Sequence, residues 1–457
     1  MSGDLVTPAA RANRYWNEYT QRMPREKLDA WHLRRIQLLM KHAYDHTSLY
    51  RKLYDDAGIK PEDVRTWEDF YYRVPLTDKP DFVSDQLERP FAAQAVPAEL
   101  MHCYFQTTGT TGAFLKEGFT MQDSVLGGDE FCYGYWDSGM RPGDSVYFSF
   151  NWGTWLGLWH VYWGCRRMGL TVYSGGGLST EERIKAILDI KPTAICGTPT
   201  YVLHMAGVAR QMGLDPHRAG VKFIIGGGEP GMNIPNTRRA LEEGWGAVCI
   251  DAYGLSELLV CHVECGAHPG GVHDVESAFH AYSVNPETRE PVGDGEVGEN
   301  IITSYAHTFQ PFIKYRTHDL VRRYRQHDHG CGWTWGYLHG SVLGRTDFMV
   351  VIRGVNVYPA AVEDVISKVP GSTAYYEIHL SREEGMDRMK LRIEARDGAP
   401  SDGYRELGRQ AEEIYRQSLG VRIEVEFVAP NGLPRYELKT RRIFDHRPKE
   451  VRRVLDQ

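Results

Sequence analysis

The chain has 457 residues, 42% of them hydrophobic and 25% charged, with a formal net charge of −7. Length and apolar content suit a globular protein of about two to four domains with sizeable cores, whereas the acidic balance and a pI near 6.2 exclude the broad basic face of a nucleic-acid binder. No window approaches a membrane span, and the first thirty residues lack the continuous apolar stretch of a signal peptide, so a cytoplasmic location with no membrane partner is expected.

Leu33, Ile36, Leu39 and Met40 have helical spacing in an N-terminal region that runs to about Pro90. Thr107-Thr-Gly-Thr-Thr-Gly-Ala-Phe-Leu-Lys116 follows. Its hydroxyls at Thr107, Thr108, Thr110 and Thr111, with Gly109 and Gly112, offer donors with little bulk to the phosphates of a nucleotide, although a plain polar turn has the same composition. The Gly-Lys-Ser/Thr ending of a Walker A loop is absent. Ser145–Ser149, Thr193–Cys196 and Lys222–Ile225 read as short buried strands between helical segments, and Ser179-Thr-Glu-Glu182 reads as a helix start before Ile184, Ile187 and Leu188. The pattern is α/β.

The texture changes at Gly344–Asp347. Helical spacing in Val362, Val365 and Ile366 leads to strand-like runs at Tyr375–Leu380 and Lys390–Glu394. A helix with Leu407, Ala411, Ile414 and Tyr415 on one face then precedes the alternation of Val421, Ile423, Val425 and Phe427. This is enough for a separate small α+β domain. The expected division is therefore residues 1–346 and 347–457.

Downstream of the Thr/Gly loop, three further segments keep one order: Gly226-Gly-Gly-Glu-Pro230, Asp251-Ala-Tyr-Gly-Leu-Ser-Glu257 and Tyr315-Arg-Thr-His-Asp319, closing with Gly344-Arg-Thr-Asp-Phe-Met-Val-Val-Ile-Arg-Gly-Val-Asn-Val-Tyr-Pro359. The ordered set resembles the adenylate-forming enzymes, and in particular their phenylacetate–CoA ligase branch, over about Tyr50 to Asp445. The resemblance implies a large N-terminal adenylate-forming domain and a small mobile C-terminal one. It also implies ATP, Mg²⁺ and CoA as ligands of an enzyme that activates a carboxylic acid as its adenylate and passes it to a thiol.

By the same resemblance, Thr107 to Gly112 hold phosphates and Glu257 is the magnesium-side carboxylate, for which a helix-start charge after Ser256 is the plain alternative. Gly228, Glu229, Pro230, Asp251, Tyr253, Gly254 and Ser256 bind the nucleotide, with Tyr253 stacking on adenine. Asp319 takes the ribose diol beside Arg345. Asp347 is the hinge, and Gly354 lines the thiol tunnel after the small domain has turned. Lys439 is the adenylating lysine. Two positions depart from the family pattern. Leu438 stands where glycine usually precedes that lysine, and Ala113 where the loop commonly carries lysine, with Lys116 as candidate replacement.

Tyr133, Tyr135, Trp136, Trp152, Trp155 and Trp159 surround the segment expected to line the acid pocket, and Tyr135, Trp155 and Gly254 are taken as its walls. So many rings favour an aromatic acid, although such clusters also build cores. Eight cysteines without an export signal point to thiols or a metal. Cys103, Cys132, Cys165, Cys196 and Cys249 read as buried. Cys265, His273, His329 and Cys331 make a set fit for structural Zn²⁺, with Cys261, His262 and His268 near enough to substitute. A carrier-protein thiol or an amine as acceptor, an idle nucleotide-binding homologue and a homodimer all stay open.

Overall fold

The computed structural model describes the chain apart from residues 1–12, 108–113, 328–329, 347–349, 353–354, 358–361, 363–364, 367, 384–385, 400, 436–441 and 449–457. Five short strands, β3 (Ser145–Phe148), β4 (Thr171–Ser174), β5 (Ala194–Gly197), β6 (Phe223–Gly226) and β7 (Val248–Leu255), lie parallel in the order β4-β3-β5-β6-β7. Their crossovers include the helices Leu156–Met168, Thr180–Ile190, Pro199–Gln211 and Pro235–Trp245. Ala194, Ile195, Ile224, Ile225, Cys249 and Ile250 are buried, as a sheet covered by helices requires. The helix at Thr180 begins as its sequence predicts, with Ser179 and Glu182 capping one another.

At β7 the sheet changes character. It continues antiparallel through β8 (Val260–Val263), β9 (Gly271–His273), β13 (Tyr337–Arg345), β12 (Tyr315–Tyr324), β11 (Val297–Ser304) and β10 (Phe279–Val284), giving eleven strands in all. A separate hairpin of β1 (Met101–Gln106) and β2 (Lys116–Thr120) brackets the Thr/Gly loop, Gln106 pairing with Lys116. The N-terminal helix Arg25–His46 buries Leu28, His32, Ile36, Met40 and Ala43; Leu33 and Leu39 are only half-buried.

Beyond β13 a second core is assembled from its own residues. After a short hairpin of β14 (Val350–Ile352) and β15 (Val355–Val357), the strands β16 (Ser372–Glu383), β17 (Met386–Ala395), β18 (Glu424–Val428) and β19 (Ile443–Asp445) form a sheet in the order β18-β17-β16-β19. The helix Tyr404–Leu419 packs on it through Ala411 and Tyr415. Val362, Val365 and Ile366 join that core, and the Tyr415 hydroxyl donates to the Val362 carbonyl at 2.9 Å. The alternation predicted from Val421 is present in burial, but Val421 and Ile423 precede the strand, which starts at Glu424. Contact between the two units includes the helix Pro235–Trp245 against β16.

Candidate active site

β5, β6 and β7 run parallel, so their carboxyl ends line one edge of the sheet, the side on which open α/β sheets bind ligands. Gly226 pairs with Asp251 at this edge. Gly228 turns the following loop at φ +84°, a conformation glycine adopts without strain. Glu229 is tied back to the preceding helix, Pro199–Gln211, by accepting from the Thr200 amide at 2.9 Å. Asp251 is buried, and burial followed by the nearby Glu264 carboxylate pushes it up to about 7 against the pull of Arg238.

Tyr253, Asp319 and Arg345 come together from three strands. The Tyr253 hydroxyl donates to Asp319 Oδ2 at 2.6 Å, and Arg345 Nη1 donates to Oδ1 at 2.9 Å. Asp319 and Arg345 are direct partners in the β12–β13 register, so the pair follows from the strand pairing. Asn300 Nδ2 also reaches the Tyr253 hydroxyl at 3.4 Å, and Arg323 donates to Asn300 Oδ1 at 2.6 Å. Burial, then the Asp319 charge, holds the Tyr253 phenol well above its usual range. Its ring stacks on His262, 4.7 Å between centroids and 12° between planes. Any adenine partner would therefore meet the other face of a ring already backed by an imidazole.

Glu257 lies in the four-residue turn between β7 and β8, and the plain alternative of a helix-start charge is corrected, because no helix follows Ser256. The turn is closed by the Leu259 amide on the Ser256 carbonyl at 3.0 Å. The half-buried Glu257 carboxylate accepts from the Tyr315 hydroxyl at 3.2 Å. His307 ties the turn to the β1–β2 hairpin, its ring nitrogens standing 2.9 Å from the Glu257 and Gly118 carbonyl oxygens. Thr107 closes the base of the Thr/Gly loop, its hydroxyl accepting from the Leu115 amide at 3.0 Å. Thr108, Gly109, Thr110, Thr111 and Gly112 lie outside the described residues, as do Asp347, Gly354 and Lys439.

Glu117 on β2 escapes sequence reasoning. It is fully buried, and neither carboxylate oxygen has a hydrogen-bond partner among the described residues. Burial, then the Glu257 charge, pushes its carboxyl well above the ordinary range. A lone glutamate two residues from each of the buried Leu115 and Phe119 was the available signal, since alternation places all three on one face.

The aromatic segment divides. Tyr133, Tyr135 and Trp136 are buried on the helix Met121–Asp137, where Tyr135 packs against Phe131 in the core. Trp152, Trp155 and Trp159 are half-buried, and Trp155 packs edge-on to Phe150 at 6.0 Å. Trp152 and Trp159 also line an open cleft of about 490 Å³ with Tyr162, Arg166 and Val172. Gly254 is exposed on β7, and a side chain there would press on the Val260 carbonyl at 3.0 Å. Pro230 is exposed and Ser256 half-buried.

A second cluster sits further along the antiparallel half. Cys265, His273 and Cys331 are buried with ligand atoms within 4.8 Å of one another. Cys331 Sγ is 3.7 Å from His273 Nε2, while His273 Nδ1 donates to the Gly336 carbonyl at 3.2 Å. That bond favours the tautomer whose Nε2 carries the lone pair used in metal ligation. The contact with Cys265 draws the Cys331 thiol below its usual range, and the same contact, then burial, raises Cys265. His329 lies outside the described residues. Cys132, Cys165, Cys196 and Cys249 are buried as expected, but Cys103 is half-exposed, because β1 belongs to a two-stranded hairpin.

Comparison with known proteins places these features in context. Residues 354–447 match the model of the AMP-binding enzyme C-terminal domain. A phenylacetate–coenzyme A ligase of Pseudomonas putida is 32% identical, over 91% of this chain and 93% of its own. One from Thermus thermophilus is also 32% identical, over 93% and 98%. A 2-hydroxyisobutyryl-CoA ligase solved in the postadenylation state with 2-HIB-AMP superimposes with a TM-score of 0.89 at 28% identity, covering 99% of this chain and 96% of that one. The same ligase in the thioesterification state, with 2-HIB-AMP and CoA, gives 0.72 over 97% and 94%.

Proposed function

Since this chain belongs to the phenylacetate–CoA ligase family of adenylate-forming enzymes, it is an ATP-dependent acid–CoA ligase that works through an acyl-adenylate, and we propose that its acid is aromatic. The substrate carboxylate attacks the α-phosphorus of ATP and pyrophosphate leaves. The CoA thiolate then attacks the adenylate's carbonyl carbon and AMP leaves. The half-buried indoles of Trp155 and Trp159 support the aromatic reading. A second reading, a small hydroxy acid, is favoured by the fit to the ligase solved with 2-HIB-AMP.

The observation that carries the site is the triad of Tyr253, Asp319 and Arg345. Asp319 presents two oxygens in one plane, each engaged by a donor that a ribose hydroxyl can replace. Arg345 would remain as the cation beside ribose or phosphate. Asp251, with Gly228, Glu229 and Pro230 at the same sheet edge, would flank the base. Thr107 to Gly112 would hold the phosphates through hydroxyls and amides. Glu257, half-buried and with one hydroxyl partner, suits a hard divalent cation. When bound, Mg²⁺ would neutralise the triphosphate and favour release of pyrophosphate.

Lys439 would bring its ammonium between carboxylate and α-phosphate, from a small domain beginning at Asp347. The difference in fit to the two states of one relative supports a turn of that domain between half-reactions. Cys265, His273 and Cys331 would hold a structural Zn²⁺, the thiolate-rich set this ion prefers, with His329 as fourth ligand. CoA is the thiol proposed ahead of a carrier-protein arm. Pyrophosphate release across a panel of aromatic and hydroxy acids, followed by thioester formation with CoA, tests the reading. Preference for short aliphatic hydroxy acids over aryl acids would reject the aromatic substrate and keep the ligase.

A further inference from the structure

His318 stands within β12 at φ +62°, a left-handed conformation that costs free energy in a residue with a side chain. A bulge is the cause. Glu299 pairs with Leu320 and Ile301 with Arg316, so Thr317, His318 and Asp319 together stand opposite Asn300. Thr317 closes the bulge, its hydroxyl donating to the Asn300 carbonyl at 2.8 Å and accepting from the Asp319 amide at 3.1 Å.

The bulge sets the half-buried His318 ring between two other elements. Its Nε2 lies 2.9 Å from Oδ1 of Asp78, the N-cap of the helix Lys79–Gln86, and its Nδ1 lies 3.2 Å from the Thr346 hydroxyl. Glu299 Oε1 stands 3.5 Å from Nδ1 and also accepts from the His318 amide at 3.3 Å. Arg316 donates to Glu299 Oε2 at 2.7 Å and reaches Asp78 Oδ2 at 3.5 Å, so the ring is framed by two carboxylates and one guanidinium. Burial opposes charge on the ring, but the bond to Asp78 and the charges of Asp78 and Glu299 outweigh it and raise His318 above its usual value. A protonated ring donates from both nitrogens.

Thr346 directly follows Arg345, whose guanidinium holds Asp319 Oδ1 at 2.9 Å. The contacts therefore close a ring: His318 to Thr346 through side chains, Thr346 to Arg345 along the backbone, Arg345 to Asp319 through the ion pair, and Asp319 back to His318. Asp319 with Arg345 is the last pair of the β12–β13 ladder at this end, and the end of a ladder frays unless something ties it. We propose that His318 is a positioning residue for the ribose site, fixing the Asp319–Arg345 pair through its hold on Thr346 and Asp78. This rests on the reading above in which Asp319 receives the ribose diol.

The test uses the full chain, with AMP and dideoxy-AMP, which lacks both ribose hydroxyls, as probes in calorimetry. Thr346→Val removes the hydroxyl at similar size, and His318→Asn keeps a residue type that tolerates the left-handed turn but shortens its reach. Each should weaken AMP binding about fivefold with Tm nearly constant, whereas Thr346→Ser, which retains the hydroxyl, should bind as the wild type does. The double variant His318→Asn with Thr346→Val should be no weaker than the worse single one, because both cut the same link. Dideoxy-AMP has no diol to offer Asp319, so it should bind all these proteins alike. Unchanged AMP affinity in Thr346→Val and His318→Asn, or a loss as large for dideoxy-AMP as for AMP, overturns the proposal alone. A wild-type chain that binds AMP no better than dideoxy-AMP removes Asp319 from the ribose and overturns that reading and the proposal together.

Discussion

The two clusters on the antiparallel half of the large sheet have opposite chemical characters. Around Asp319, every acceptor oxygen already has a donor, a phenol on one side and a guanidinium on the other. Around Cys331 the contacts are soft ones: the sulfur-to-nitrogen distance to His273 is 3.7 Å, and the amide of Trp333 reaches the same sulfur at 3.3 Å. A site of mutually satisfied hard groups can exchange one partner for a ligand at little net cost, since one hydrogen bond replaces another. Thiols and an imidazole facing each other in a buried pocket gain most from an ion that stays. The first should therefore respond to mutation in rate and affinity, the second in stability.

The largest effect expected tests what the first cluster lacks. Arg345, the cation on Asp319, is already committed to it, so charge developing at the α-phosphate has to be met from elsewhere. Lys439→Ala should slow adenylate formation by roughly 3–4 kcal/mol, a hundredfold or more, while thioester formation from supplied acyl-adenylate survives. Single-turnover rates of the two halves decide it. Equal losses in both would remove Lys439 from the adenylating role.

The second cluster should show the reverse. Protein purified without chelator should contain about one zinc per chain, and Cys331→Ser should lower Tm by about 5 °C or more through loss of a ligand that binds only the folded state. Adenylation rate in the surviving folded fraction should hardly move. If metal analysis finds no zinc, or if Cys331→Ser changes rate and leaves Tm alone, the contrast between the clusters collapses.

A smaller effect bears on exchange at Asp319. Tyr253→Phe removes the donor on Oδ2 but keeps the ring on His262. The ribose hydroxyl then meets a carboxylate oxygen with no competitor, while the variant gives up the phenol's own contribution to the network. ATP affinity should shift by about 1 kcal/mol, several-fold, with Tm nearly constant. Asp319→Asn, which leaves the Tyr253 and Arg345 partners mismatched, should cost more in KM for ATP than Tyr253→Phe.

How much of this was legible beforehand follows from range. The helix start at Ser179, the strand cores at Ala194 and Phe223 and the helix through Ala411 are set by local spacing and capping, and they appear close to where the spacing predicts. The identity of the ligand-facing segments was legible through ordered motifs. Their mutual geometry was not, because the Asp319–Arg345 pair depends on strand register and the His262 stack on how β7 meets β8. Tyr135 shows the limit of counting rings, since helical periodicity turned it into the core. Glu117 shows the converse. A charge in an apolar strand looks like an exposed edge residue until the packing of His307 and Trp163 closes over that face.

An effect of similar size, read in stability against pH, is expected at Asp251. Its Oδ2 has no hydrogen-bond partner among the described residues, and its amide donates to Glu264, which Arg238 grips through both oxygens. Arg238 is thus committed to Glu264, and Asp251 is left with burial and a like charge, which together lift it to about 7. A carboxyl whose folded value is raised binds protons more tightly when folded. It adds nothing below the unfolded value, and between that value and about 7 its ionisation progressively destabilises the fold as pH rises. The unfolded group is already ionised at pH 6, so the window that remains accessible is pH 6 to 8. Across it the protein should lose about 1.4 kcal/mol from this group. Denaturant unfolding at pH 6, 7 and 8 measures it, and Asp251→Asn, which cannot ionise, removes that share of the slope. If the variant and the wild type fall in parallel over this window, Asp251 is ionised throughout and Arg238 serves it as well as Glu264.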